Sequence, residues 1–120
     1  MSARRVFHVL PWADYAALRD GGPAAQHRPP SLAGEGFVHL SFADQLRGTL
    51  RAHFAGAGRL ALCELDARRL EPELRLEASR GGALFPHLYR ALRAGDVLCA
   101  WPLEPEEGHA LPPALLPPGV

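Results

Sequence analysis

The chain has 120 residues, of which 48% are hydrophobic and 22% charged, and its thirteen basic residues balance its thirteen acidic ones. This length predicts one domain with a real core, and the zero net charge excludes a general attraction to nucleic acid or to anionic membranes. No apolar run approaches the roughly 18 residues that a membrane span needs. The N-terminus has no signal-peptide pattern, so we expect a cytoplasmic protein whose two cysteines, Cys63 and Cys99, are buried free thiols.

The first half of the chain predicts strands that alternate with helices. Residues 4–10 are typical of a strand, and residues 11–19 of a helix that opens with a proline and stops at two glycines. Residues 22–36 are polar and broken by proline and glycine. A loop of this length inside a compact domain is often functional. Residues 37–41 predict a second short strand.

A second, amphipathic helix is expected to follow that strand directly. Ser41 has the chemistry of an N-cap, and the helix should run to about residue 54. Leu46, Leu50 and Phe54 recur at intervals of four residues and so form one apolar stripe. This stripe predicts that the helix packs against a sheet.

The second half of the chain is richer in strands. Residues 59–65 are apolar on both faces, which is typical of a central strand. Residues 73–77 alternate, and we expect Leu74 and Leu76 to face inward. Residues 97–103 form the last predicted strand.

The order of these elements predicts an α+β domain over residues 1–103. Its core would be a small split β-sheet, mixed or antiparallel, with two main helices packed on it. Residues 104–120 are rich in proline, so we expect a loose, dispensable C-terminal tail.

Three predicted strands each present a histidine on a largely apolar face. His8 lies on the first, His39 shares a face with Ser41, and His87 shares a face with Tyr89 if that segment is extended. Burying an unpaired imidazole costs free energy, so each ring needs a hydrogen-bond partner or a ligand. Structural histidines and a shared ligand pocket remain alternative interpretations.

A glycine pair follows one of these strands. Gly81 and Gly82 permit positive φ and close approach of a ligand, and Arg80 before them can pair with a phosphate or carboxylate. An ordinary connecting turn would have the same composition. Glu77 ends the preceding strand and is a candidate base or ribose ligand; a solvated surface carboxylate is the alternative.

At these residues the sequence resembles the bacterial domain of unknown function 952 family, from about residue 6 to residue 103. In place of the glycine that usually follows the tyrosine in that family, this chain has Arg90. The blocks EGFVHLS and GGALFPHLY are the specific ones. The resemblance rests on His8, Ser31, Leu32, residues 35–41, Gln45, Glu77, Arg80, Gly81, Gly82 and residues 85–89.

That family is similar in outline to the ADP-ribosyltransferase fold, whose members bind NAD between two small sheets. This second resemblance implies that His8 contacts the NAD ribose and that His39 with Ser41 holds the nicotinamide side. No residue matches the usual catalytic glutamate cleanly, and Glu77 is only a candidate for that role.

Three functions follow as hypotheses. The first is an NAD- or nucleotide-dependent transferase in which His8, His39 and Glu77 act on the ligand. The second is a binding module of the same fold that takes a nucleotide or small molecule without turnover. The third is a zinc site formed by His8, His39 and His87. In the first two, the ligand-binding residues would be Ser41, Arg80, Gly81, Gly82, His87 and Tyr89.

Overall fold

A computed structural model describes residues 4–115 of the chain. The eight strands are β1 (Arg5–Pro11), β2 (Gln26–His27), β3 (Val38–His39), β4 (Leu60–Asp66), β5 (Leu74–Ala78), β6 (Leu84–Leu88), β7 (Leu92–Arg93) and β8 (Val97–Leu103). The four α-helices are α1 (Trp12–Asp20), α2 (Pro30–Glu35), α3 (Leu46–His53) and α4 (Ala67–Leu70). Short 3-10 turns connect several of these elements.

The strands form two three-stranded sheets and one short pair. The first sheet has the order β1-β4-β8, the second β3-β6-β5, and β2 pairs with β7. All of the pairings between described strands are antiparallel. The predicted α+β class with a split sheet is confirmed. The sequence left open whether the sheet is mixed or antiparallel, and the described strands are antiparallel.

A single backbone bridge links the two main sheets. Phe7 and Ser41 exchange two hydrogen bonds of 2.8 Å each, so β1 runs antiparallel to the segment that follows β3. Ser41 does not cap α3 as the sequence predicted, because its side-chain oxygen pairs with Thr49 Oγ1 at 2.7 Å and α3 begins further along the chain. A 3-10 turn over residues 43–45 intervenes, and α3 begins at Leu46.

The core lies on both sides of the first sheet. On one side α3 packs through its predicted stripe, with Leu46 fully buried and Leu50 and Phe54 partly buried against Phe7 and Leu62. A second apolar cluster fills the other side. It contains Val6, Leu18, Val38, Leu40, Leu65, Leu70, Leu88 and Leu92. As predicted, β4 is the central strand.

The predicted burial of two side chains, Leu76 and Cys99, is wrong. Leu76 is 48% exposed, whereas Leu74 packs against the core. The cause is the sheet edge: β5 is the outer strand, and β3 is too short to extend the sheet as far as Leu76. Cys99 is exposed on the edge strand β8, and Cys63 is buried at the centre of β4; both thiols are free.

The described part of the C-terminal segment packs on the domain. Leu111 and Leu115 contact the cluster around Phe7, and His109 donates from Nε2 to the carbonyl of Gly58 at 2.8 Å. Residues 104–115 therefore differ from the loose tail that the proline content predicted, because apolar residues between the prolines find core contacts. No helix within residues 4–115 is long and apolar enough to cross a bilayer.

Candidate functional site

One face of the second sheet brings together four of the nine predicted site residues. Val38 and Leu40 are buried on the core side of β3, so His39 between them projects from the opposite face. His87 is the direct partner of His39, and Glu77 is the partner of Phe85. Directly opposed residues of an antiparallel pair share a face. We call the surface formed by His39, Glu77, Phe85, His87 and Tyr89 the histidine face.

The centre of the histidine face is a hydrogen-bonded group of three side chains. One oxygen of Glu77, Oε1, accepts from Tyr89 Oη at 2.6 Å and pairs with His87 Nδ1 at 2.8 Å. The hydrogen bond from Tyr89, with that from His87, lowers the pKa of Glu77, so the carboxylate is ionised near neutral pH. The same bond raises the pKa of Tyr89 and keeps the phenol protonated. Since an ionised carboxylate only accepts, His87 must carry a hydrogen on Nδ1.

His87 therefore presents its second nitrogen, Nε2, in a defined orientation. This atom is buried and has no hydrogen-bond partner among the described residues. The ring is stacked on Phe37, with centroids 4.0 Å apart and an interplanar angle of 7°, and it meets the edge of His39 at 5.4 Å. Buried polar atoms are nearly always paired, so an unpaired one indicates a place for a ligand or a water.

His39 forms a second, exposed pair of imidazole and carboxylate. Its Nε2 lies 2.6 Å from Glu35 Oε2 at the end of α2. Its ring centroid is 6.5 Å from that of His53 on α3. The histidine face thus extends from the edge strand β5 across β3 to one side of α3.

The Ser41 and Arg80 side chains lie where this face meets α3. Ser41 Oγ is 2.7 Å from Thr49 Oγ1, and Arg80 reaches the same hydroxyl from Nη2 at 3.4 Å. Gly81 and Gly82 have φ values of 67° and 79° in the turn that joins β5 to β6. The positive φ that their sequence predicted is present, and the turn directs Arg80 toward the helix.

His8 does not join this group, which corrects the expectation of one shared pocket. Because Phe7 pairs with Ser41, the next residue, His8, points to the opposite side of the sheet. There His8 Nδ1 donates to the carbonyl of His39 at 2.9 Å, and its ring is 5.7 Å from that of His27. Burial lowers the pKa of His8 to about 4, so the ring is neutral and its Nε2 is an unpaired acceptor. Its position supports the backbone of β3.

Two clefts lie away from these residues. One of about 680 Å³ lies between the end of α3 and residues 105–111, and one of about 370 Å³ lies between α1 and the start of β8. Neither is lined by any of the nine predicted site residues. Within residues 4–115, no three His, Cys, Asp or Glu side chains are grouped as metal ligands, so the geometry does not favour the zinc hypothesis.

Sequence reasoning missed several contributors to the histidine face. Phe37 stacks on His87, Thr49 joins Ser41 to Arg80, and His53 approaches His39. Helical spacing in the sequence could have identified two of them, because Thr49 and His53 are four residues apart and so share a side of α3.

Comparison with known proteins identifies the family. The family described as "Protein of unknown function (DUF952)" matches residues 10–100, well over half of the chain. The chain belongs to the DUF952 family. The X-ray crystal structure of protein CC0527 from Caulobacter crescentus is 35% identical, with a TM-score of 0.74, and the match covers 83% of this chain and 86% of that chain. The solution NMR structure of CC0527 is 34% identical, with a TM-score of 0.71, and the match covers 83% and 84%. No curated protein matches this DUF952 chain.

Arg90, the residue after Tyr89, has a structural partner in this DUF952 domain. Its guanidinium forms a bidentate ion pair with Asp96, with Nη1–Oδ2 at 2.8 Å and Nη2–Oδ1 at 3.1 Å. This pairing raises the pKa of Arg90. Asp96 also accepts from the backbone nitrogen of Arg93, so the pair fixes the turn between β7 and β8.

Proposed function

We propose that this DUF952 domain binds a nucleotide-class small molecule on the histidine face and that His87 acts on it as a general base. The observation that carries the proposal is the buried, unpartnered Nε2 of His87, whose ring is oriented by the ionised Glu77. A carboxylate that holds the far nitrogen of an imidazole fixes its tautomer and stabilises the charge that develops when the near nitrogen takes a proton.

NAD is the first ligand to test, because the family resembles the ADP-ribosyltransferase fold in outline. In such a reaction the bond between nicotinamide and ribose breaks, nicotinamide leaves with the bonding electrons, and the oxygen of an acceptor or of water forms the new bond to the ribose. The proton of that oxygen would pass to His87 Nε2. Glu77 would position His87, and Tyr89 would hold Glu77.

Residues near α3 would contact the ligand. His39, paired with Glu35, and Ser41, paired with Thr49, lie on the side of the face that adjoins α3. Phe37 offers an aromatic ring near both histidines. His8 would act indirectly, since its hydrogen bond to the carbonyl of His39 holds the strand that carries His39.

The alternative is a binding module that does not turn its ligand over. The hydrogen bonding of Glu77 favours it, since Oε1 is already engaged by both Tyr89 and His87. A carboxylate so engaged is suited to positioning, and no other glutamate lies on the strands that form the histidine face.

Calorimetric titration with NAD, followed by a nicotinamide-release assay, separates these functions. We expect His87→Gln to abolish release and to weaken NAD binding, whereas His27→Gln, on the other side of the sheet, leaves both unchanged. Binding without release would identify the binding module. If NAD and ADP-ribose do not bind, or if His87→Gln binds them as well as the unchanged protein does, the proposal is wrong.

A further inference from the structure

Helix α3 contains a glycine where its sequence pattern offers no reason for one. Gly48 lies in the first turn and a half of the helix, where glycine is less favourable than alanine. A glycine inside a helix is usually explained by a close approach of another group. Here that group is the guanidinium of Arg80: a Cβ at position 48 would lie 3.0 Å from its Nη2.

Arg80 is held between the helix and the sheet by three contacts. Its guanidinium carbon lies 4.7 Å from the centroid of the Phe85 ring, its Nη2 donates to Thr49 at 3.4 Å, and the same Nη2 lies 3.0 Å from the position that a Cβ on Gly48 would occupy. Within residues 4–115 no carboxylate lies at ion-pair distance from it. A guanidinium has five N–H donors, and only one of these is used here.

We infer that Arg80, laid across Gly48, binds the phosphate group of the ligand that the histidine face takes, and that Gly48 determines this anion site. The inference rests on the proposed function. Phe85, which Arg80 covers, is two residues from His87 on the same side of β6, a separation of about 7 Å. A phosphate at Arg80 would therefore leave a nucleoside-sized group within reach of His87 Nε2.

The chemistry of Arg80 suits an oxyanion with several oxygens. A planar guanidinium forms paired, charge-assisted hydrogen bonds with phosphate or carboxylate, and such bonds are stronger than neutral ones. The hydroxyl of Thr49 beside it adds a further polar contact. Inorganic pyrophosphate tests whether the phosphate group alone is bound, and ADP tests whether it is bound as part of a nucleotide. Acetate tests whether a simple carboxylate is enough, and adenosine tests whether the nucleoside binds without its anion.

The decisive variant is Gly48→Ala, because it displaces Arg80 without removing its charge. We expect Arg80→Gln to weaken the binding of pyrophosphate and of ADP at least about tenfold. Gly48→Ala, which moves the guanidinium by a few tenths of an ångström, should weaken the binding of both measurably but less. Because alanine favours the helix and the displaced group is the end of a flexible side chain, the thermal midpoint should stay equal or rise. Gly34→Ala is the matched control, since a Cβ there meets nothing within 4 Å.

The outcomes distinguish this inference from the proposed function. If either Gly48→Ala or Arg80→Gln binds pyrophosphate and ADP as the unchanged protein does, the anion site is refuted, even where His87→Gln abolishes NAD turnover. A loss of equal size in Gly34→Ala, or acetate binding as tight as that of pyrophosphate, also refutes it. If Arg80→Gln and Gly48→Ala lose pyrophosphate binding and His87→Gln changes nothing, the anion site stands and the role of His87 falls.

Discussion

The buried His8 should make the domain lose stability as the solution becomes acidic. Burial lowers the pKa of His8 from its ordinary value of 6.5 to about 4, with smaller contributions from the nearby His27 and His39. Between these two pH values the unfolded chain binds a proton at position 8 and the folded chain does not. The free energy of unfolding therefore falls by about 1.4 kcal/mol per pH unit as pH decreases, a loss of about 3 kcal/mol across the window.

Urea denaturation of the unchanged protein and of His8→Gln, at several pH values between 7 and 4, measures this loss. Glutamine does not titrate, and its amide can still donate to the carbonyl of His39. We expect the variant to lose most of the slope. The lowered pKa values of His27 and Glu77 also make the free energy of unfolding fall as pH decreases. Both residues are present in the unchanged protein and in His8→Gln, so they contribute equally to the two slopes.

A matched control is His53→Gln, an exposed position on α3, which keeps His8 and should keep the slope. The reasoning is refuted if His8→Gln and the unchanged protein lose the same free energy between pH 6.5 and pH 4. It is also refuted if the unchanged protein loses less than about 1 kcal/mol there, since burial would then not hold His8 neutral.

Three further predictions concern the core, an ion pair and the thiols. Leu62→Ala should lower the free energy of unfolding by about 2–5 kcal/mol in urea denaturation, whereas Leu76→Ala, at an exposed edge, should cost less than about 1 kcal/mol; equal costs would contradict the exposure of Leu76. Arg90→Ala should cost about 2–5 kcal/mol by the same assay, because it leaves the buried carboxylate of Asp96 without its charged partner, and a loss below about 1 kcal/mol would contradict this. Alkylation followed by mass spectrometry should modify Cys99 in the folded protein and Cys63 only after unfolding, because burial raises the Cys63 pKa to about 12; early modification of Cys63 would be the opposing result.

Local pattern was sufficient to predict the main elements of this DUF952 domain. Apolar residues on both faces predicted the central position of β4, and spacing of four residues predicted the buried side of α3. Strand alternation also predicted that His39 and Ser41 share a face and that His87 and Tyr89 share another. These properties depend only on neighbours in the chain, so periodicity is enough to predict them.

Contacts between distant segments were decided only by the tertiary structure. The bridge between Phe7 and Ser41 sets which side of the sheet each histidine takes, and it separates His8 from His87 although both lie on strands. The approach of Arg80 to Gly48 likewise joins a hairpin turn to a helix. Alternation predicts the relative direction of side chains within one strand, whereas the direction between strands depends on register, which is set by hydrogen bonds between residues far apart in the chain.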